Sequence, residues 1–236
     1  MRILSAISHD IKLQFKHGFY YAYLLISTVY IAVLQFLPVE YREAANIALT
    51  FSDPGVLGFF FIGGLVLLEK GQNIHDSLFV TPLSASEYIF SKTASLSVLS
   101  LGSSIFIHSS VFGFGTHSGL FACGVLFTSF FFTMIGLGLA VRCETLNGFF
   151  FLSSLSTFVF VLPLFEAAGI WNSPLFYALP SRASLMLLGS AFTGLQQWEL
   201  IYAISVLLLW NGAAYLWARH SLQTFITLKL GGGDTR

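Results

Sequence analysis

Polar and apolar residues are distributed along this chain in blocks rather than in alternation. Six stretches, approximately residues 19–38, 54–75, 91–115, 118–141, 147–166 and 199–219, are almost wholly apolar and carry no charge near their middles. A bilayer core about 30 Å thick is crossed by roughly 20 apolar residues at about 1.5 Å each, so each block is long enough to span it. A charge at the centre of such a helix costs about 2.5–3.5 kcal/mol, which explains where charges are missing. The pattern predicts an all-α polytopic membrane protein with six transmembrane helices.

The segments around these blocks carry their own signals. Ahead of the first, Leu4, Ile7, Ile11 and Phe15 recur at helical spacing, with Arg2, His9, Asp10, Lys12 and Lys16 opposite and Leu13 out of place on the polar side. Residues 1–18 therefore read as an amphipathic helix lying along the membrane surface. Block two opens at Asp53-Pro54, where Asp suits a cap and Pro the first helical turn. Its glycines, Gly55, Gly58, Gly63 and Gly64, permit close helix approach. The serines of blocks three and five are expected to bond their own helix backbone or a neighbouring helix. Residues 166–198 are too apolar for a plain aqueous loop and are interrupted by Pro174, Pro180 and Gly194. They predict a broken, re-entrant pair of short helices in the outer leaflet before the last span, with Ser173 and Ser181 as caps and Trp171 and Trp198 at headgroup depth.

Composition agrees with a membrane setting. The chain has 236 residues, 56% hydrophobic and only 9% charged, against about 25% charged in soluble domains. With the N-terminus inside, Arg2, Lys12, Lys16, Lys70, Lys92, Arg142, Arg219, Lys229 and Arg236 fall on the cytoplasmic side, leaving Arg42 and Arg182 outside. That asymmetry predicts that both termini are cytoplasmic. No removable signal peptide is read, so the first block is expected to stay as an anchor. The formal net charge is zero, which gives no reason to expect nucleic acid as a partner. Cys123 and Cys143 lack the spacing of a disulfide framework or zinc site. His75, His108 and His117 lack helical ligand spacing. His108 and Asn211 are expected to bond neighbouring helices, and Glu166 and Glu199 to sit in headgroup water.

Chemistry-bearing motifs are missing. HExxH, GxSxG and paired intramembrane carboxylates do not occur, so no catalytic, metal or cofactor-binding residue is expected. No GxxxxGK[ST] loop occurs either, so the chain is not expected to hydrolyse ATP. The most polar stretch, EKGQNIHDSLFVTPLSASEYIFSK from Glu69 to Lys92, is the largest inner loop of the predicted topology. In it Thr81-Pro82 stops the chain, and Ser84-Ala-Ser-Glu87 is a capping box opening a short helix toward Lys92.

This stretch carries a resemblance. Glu69-Lys70-Gly71, a spacer ending in Leu78-Phe79-Val80, then Thr81-Pro82-Leu83-Ser84, Glu87-Tyr88 and Lys92 resemble the region between spans two and three of ATP-binding cassette type-2 exporter permeases. Asn73-Ile74-His75-Asp76 stands where Gly-Thr is more usual there. The surface helix, six spans and broken outer segment match that family's plan along nearly the whole chain. Ser173-Pro174-Leu175-Phe176-Tyr177 and Leu179-Pro180 further resemble small permeases of fluoroquinolone export. The haem-export permease of cytochrome maturation is a similar-sized relative, and a non-transporting scaffold subunit is the other alternative.

The resemblance implies a single permease domain over 1–236, with an interfacial helix at 1–18, a coupling loop and helix at 69–92 and an outer segment at 166–198. It implies a cytoplasmic-membrane exporter of amphipathic or lipid-like cargo, of the multidrug efflux kind, working by alternating access. ATP and Mg would bind a separate ATPase subunit, and a second permease, identical or paralogous, would complete the pathway. Glu69, Thr81, Pro82, Ser84, Glu87 and Tyr88 would transmit motion from the ATPase. Tyr20, Tyr21, Phe59, Phe60, Phe149 and Phe150 are candidates for the translocation path, although residues of this kind are more often lipid-facing or helix-packing.

Overall fold

The computed structural model describes residues 2–72, 84–113 and 118–231. They form helices joined by short connections, with no strand among the described residues. In chain order these are α1 (Arg2–Lys16), α2 (Phe19–Phe36), α3 (Val39–Ser52), a π-helical segment (Asp53–Gly58), α4 (Phe59–Gly71), α5 (Ala85–Phe112), α6 (Ser118–Ala140), α7 (Leu146–Val161) and α8 (Pro163–Ala167). A 3₁₀ turn (Pro174–Ala178), α9 (Pro180–Gly189) and α10 (Gln197–Gly231) follow. Among the described residues five stretches are long and apolar enough to cross a membrane: α2, α5, α6, α7 continued through α8, and residues Gln197–Thr224 of α10.

The remaining predicted span is built differently from expectation. Asp53 does not cap a helix that begins there, because α3, the π-helical segment and α4 run on without interruption from Val39 to Gly71. The Asp-Pro pair reads as a helix start because Pro has no N–H to give the preceding turn. Within an existing helix the same deficit is met by local widening to π geometry, which re-registers the hydrogen bonds around the proline.

Two further expectations shift. The capping box is formed as predicted: Ser84 Oγ accepts from Glu87 N at 3.2 Å, and Glu87 Oε2 accepts from Ser84 N at 2.8 Å. The helix it opens is not short or separate, however, but the beginning of the 28-residue α5. No proline or glycine interrupts residues 85–101, so nothing ends the helix before the membrane. Helix α1 is amphipathic, but its inward face is Asp10, Leu13 and Gln14, whereas Leu4 and Phe15 are exposed. Leu13, the exception to the sequence pattern, marks the face that packs.

Helix α6 is the centre of the bundle, packing against α4, α5, α9, α10 and the π-helical segment. Three of its glycines make this possible. A Cβ at Gly124 would meet Leu187 and Leu188 of α9, one at Gly136 would strike Ile62 and Phe59 of α4, and one at Gly138 would strike Trp217 of α10. Small residues let helix backbones approach where apolar attraction to lipid and to protein is nearly equal. Helices α2, α7 and α10 instead show most of their length outward. Leu24, Leu25 and Val29, Phe151, Leu155 and Phe158, and Leu208, Leu209 and Leu216 are exposed there. Helices apolar toward both core and surface are what a hydrocarbon solvent allows.

Along 166–198 short helical pieces begin at Pro174 and at Pro180, and Trp171 and Trp198 are exposed. Ser173 Oγ accepts from Leu175 N at 3.4 Å. Ser181 caps nothing: Leu179 occupies the cap position of α9, and the Ser181 hydroxyl is buried without a hydrogen-bond partner. Glu166 forms a two-pronged pair with Arg182, at 3.0–3.1 Å, and the Arg182 guanidinium lies 3.3 Å from the Tyr177 ring centroid. It is a clamp between α8 and α9 rather than a carboxylate left in headgroup water.

Candidate functional site

The end of the bundle that carries α1 holds three buried charges, Asp10, Glu69 and Lys92. Glu69, one residue from the end of the apolar run of α4, and Lys92, two turns into α5, face each other across the contact between those helices. Lys92 Nζ donates to Glu69 Oε1 and, at 2.5 Å, to Asp10 Oδ1 of α1. Tyr88, one turn before Lys92, donates its hydroxyl to Glu69 Oε2 at 2.7 Å. The spacing of four residues places Tyr88 and Lys92 on one face of α5, so both reach the same carboxylate. A turn farther on, Gln14 Nε2 donates to Ser95 Oγ at 2.8 Å.

All four central side chains are nearly inaccessible: Asp10 is 4% exposed, Glu69 and Lys92 3% each and Tyr88 6%. Charges buried to this degree are tolerated only with partners and hydrogen bonds in place, and removing one partner leaves an uncompensated ion. The cluster therefore locks α1, α4 and the start of α5 into one unit. Neighbouring contacts widen the lock. Lys70 Nζ donates to the carbonyls of Val141 and Cys143 just beyond α6, at 3.2 and 2.9 Å, a favourable placement for a cation at a helix C-terminus. Arg142 donates to Ser221 Oγ at 2.9 and 3.1 Å and lies over the Trp217 ring. Tyr215 and Ser86 share a 2.9 Å hydrogen bond between α10 and the first turn of α5.

Of the residues expected to transmit motion, the structure brings Glu69 and Tyr88 into the cluster and places Ser84 and Glu87 at the helix start just outside it. Thr81 and Pro82 lie outside the described residues, as do His75 and His117. Asp10, Gln14 and Lys92 are the members that sequence reasoning missed. Lys92 counts in the sequence as one positive charge among nine and as the end of the family-like run, with no partner assigned, and Asp10 as part of a polar helix face. A lone acid on an otherwise basic helix was the available signal.

The same end carries a cavity of about 640 Å³ among α2, α4 and α7, lined by Phe19, Phe60, Phe61 and Phe150 with His17 and Glu144 among its polar members. Phe60 and Phe150, two of the six candidate path residues, meet there edge to face at 5.4 Å. The other four do not line it. Phe59 and Phe149 are fully buried packing residues, with ring centroids 6.1 Å apart. Tyr21 is 71% exposed on the outer surface, and Tyr20 stacks on Phe15 at 3.7 Å. Aromatic content alone does not distinguish these positions, because ring, lipid and core have the same polarity.

His108 and Asn211 bond neighbouring helices as expected. His108 Nδ1 lies 3.2 Å from Asn46 Oδ1, and Asn211 donates to Phe127 O at 3.2 Å. Among the described residues no group of His, Cys, Asp and Glu is placed to hold a metal ion.

A family model for fluoroquinolones export permease proteins matches residues 1–230. The chain belongs to this family. Two proteins of Mycobacterium tuberculosis, from strains CDC 1551 and H37Rv and each named as a fluoroquinolones export permease protein, are similar to it. Each is 27% identical over 206 residues, covering 86% of this chain and 87% of the relative. Apolar helices long enough to span, a lipid-compatible exterior and membership of a permease family make this a membrane-embedded permease.

Proposed function

We propose that the chain is the membrane subunit of an ATP-driven exporter, moving an amphipathic aromatic cargo out of the cytoplasm. The single observation that supports it most is the buried Asp10–Lys92–Glu69–Tyr88 cluster, directly behind the capped start of α5. A load applied at that helix start is carried at once into α1 and α4, because the charges they share cannot be separated cheaply. In this reading the α1 end faces the cytoplasm, α3 to α4 forms the sixth crossing, both termini are inside, and residues 166–198 lie in the outer leaflet.

A separate ATPase subunit, holding ATP and Mg, presses on Ser84, Glu87 and the loop before them, and a second permease completes the pathway. The aromatic cavity at the same end is the first resting place of the cargo, rings against Phe60 and Phe150. The names of the two mycobacterial relatives favour a planar, ring-bearing drug over haem or lipid.

The test is purification of the full chain from its native membrane, followed by a search of the preparation for a co-purifying ATPase subunit. Co-elution, and drug-stimulated ATP turnover that falls in Glu87→Ala, are the expected results. A permease that extracts without any ATPase favours a scaffold subunit and sinks the motor reading.

A further inference from the structure

The meeting of α3, the π-helical segment, α2 and α5 holds a polar seam that the motor reading leaves unused. Asn46, Thr50 and Asp53 follow one another at helical spacing on the first run, and Ser100, Ser104 and His108 do so on α5. Each set therefore occupies one helix face. All are buried: His108 is 7% exposed and the other five are fully covered.

Some of these groups are paired. Asn46 Oδ1 meets His108, Tyr23 Oη meets Ser100 Oγ at 3.3 Å, and Ser27 Oγ meets Ser103 Oγ at 2.8 Å. Both carboxyl oxygens of Asp53, Thr50 Oγ1, Ser104 Oγ and the Asn46 amide nitrogen have no hydrogen-bond partner. Those are five of the eleven such atoms among the described residues, spread along this one seam. Ser103 of α5 is the polar neighbour of Asp53, and its hydroxyl also lies 2.8 Å from that of Ser27. Native interiors pair nearly all buried polar groups, so such a concentration points to a ligand.

Depth sharpens the case. Asp53 is eleven residues from Arg42 and sixteen from Glu69, about 16 and 24 Å along a helix rising about 1.5 Å per residue. A carboxyl this far from either end of the helical run is costly and marks function by default. It also sits at the first residue of a π-helical segment, a geometry common at functional sites. A cleft of about 220 Å³ lies between α2 and α5, with Tyr23, Ser27 and Ser103 in its wall.

We propose that Asp53, with Thr50, Ser104 and the hydroxyls of Tyr23 and Ser103, forms an intramembrane binding site for a small monovalent cation of the sodium type. The set is made of hard oxygens, which suit such ions. One negative charge matches one positive charge. Asp53 is fully covered, which excludes a bulky organic ammonium and favours an ion that fits among side chains. The inference does not depend on the motor reading, and a chain that recruits no ATPase would leave it intact.

The test is thermal unfolding of the purified full chain in detergent, in sodium chloride against choline chloride at equal ionic strength. Sodium is expected to raise the midpoint in a saturable way, by roughly 5–11 °C at a hundred-fold excess over its dissociation constant. Asp53→Asn is expected to unfold at a higher temperature than the parent in choline, having lost an unpaired charge, and to show no sodium response. Thr50→Val, which keeps the carboxyl and the side-chain volume, is expected to need about ten-fold more sodium for the same rise. Equal responses to sodium and choline, a sodium response that survives in Asp53→Asn, or an unchanged sodium midpoint in Thr50→Val would each overturn the site.

Discussion

At the scale of single residues, the charges that define this protein are inside it. Lys92 holds two acids at once, and its removal leaves Asp10 and Glu69 facing each other without a cation. Lys92→Met is expected to destabilise the purified chain by about 3–5 kcal/mol, read as a lowered unfolding midpoint. Adding Glu69→Gln and Asp10→Asn to the same chain should recover most of that loss, because the repulsion goes with the charges. Tyr88→Phe removes one hydrogen bond to a charged acceptor and is expected to cost about 1.5–3 kcal/mol by the same measurement. None of these roles was evident from residue type alone. Glu69 and Tyr88 were singled out through a family pattern, whereas Asp10 looked like an ordinary member of a solvated helix face. Only the approach of α1 to α5 turns it into a counter-ion.

At the scale of elements, helix limits were legible where a side chain sets them and illegible where tertiary contacts do. The capping box at Ser84 and Glu87 was readable because it is a local exchange of hydrogen bonds. Glu87→Ala is expected to cost about 1 kcal/mol through the cap, and to lower coupled ATP turnover more than overall stability, checked by assaying both on one preparation. Asp53-Pro54 misled because proline marks a helix start in water and merely a change of pitch inside a packed bundle. Gly63 tests the contact between α4 and α7. A Cβ there would collide with the Phe149 ring, so Gly63→Ala should cost about 1–3 kcal/mol through overpacking. Combination with Phe149→Leu should restore part of the loss.

At the scale of the whole molecule, the two ends differ in kind. Asp10, Glu69, Lys70, Lys92 and Arg142 gather at one end, and Arg42 and the Glu166–Arg182 clamp at the other. The charge asymmetry read from sequence therefore maps onto the fold. With Cys123 and Cys143 replaced by Ser, a cysteine at Glu144 is expected to react with a membrane-impermeant reagent only after cells are opened, and one at Asn172 in intact cells. Reaction of both from the same side would refute the six-crossing arrangement and with it the cytoplasmic placement of the α5 start.

Class, location in a membrane and the positions of the apolar blocks follow from the sequence by itself, because transfer into hydrocarbon is paid residue by residue and sums along the chain. The partner of each buried polar group was decided only by the tertiary structure. Asp10 on Lys92, Glu166 on Arg182 and the unpaired Asp53 depend on which helix lies beside which, at what depth and in what rotation. Those relations belong to pairs of packed helices, and no single segment carries them.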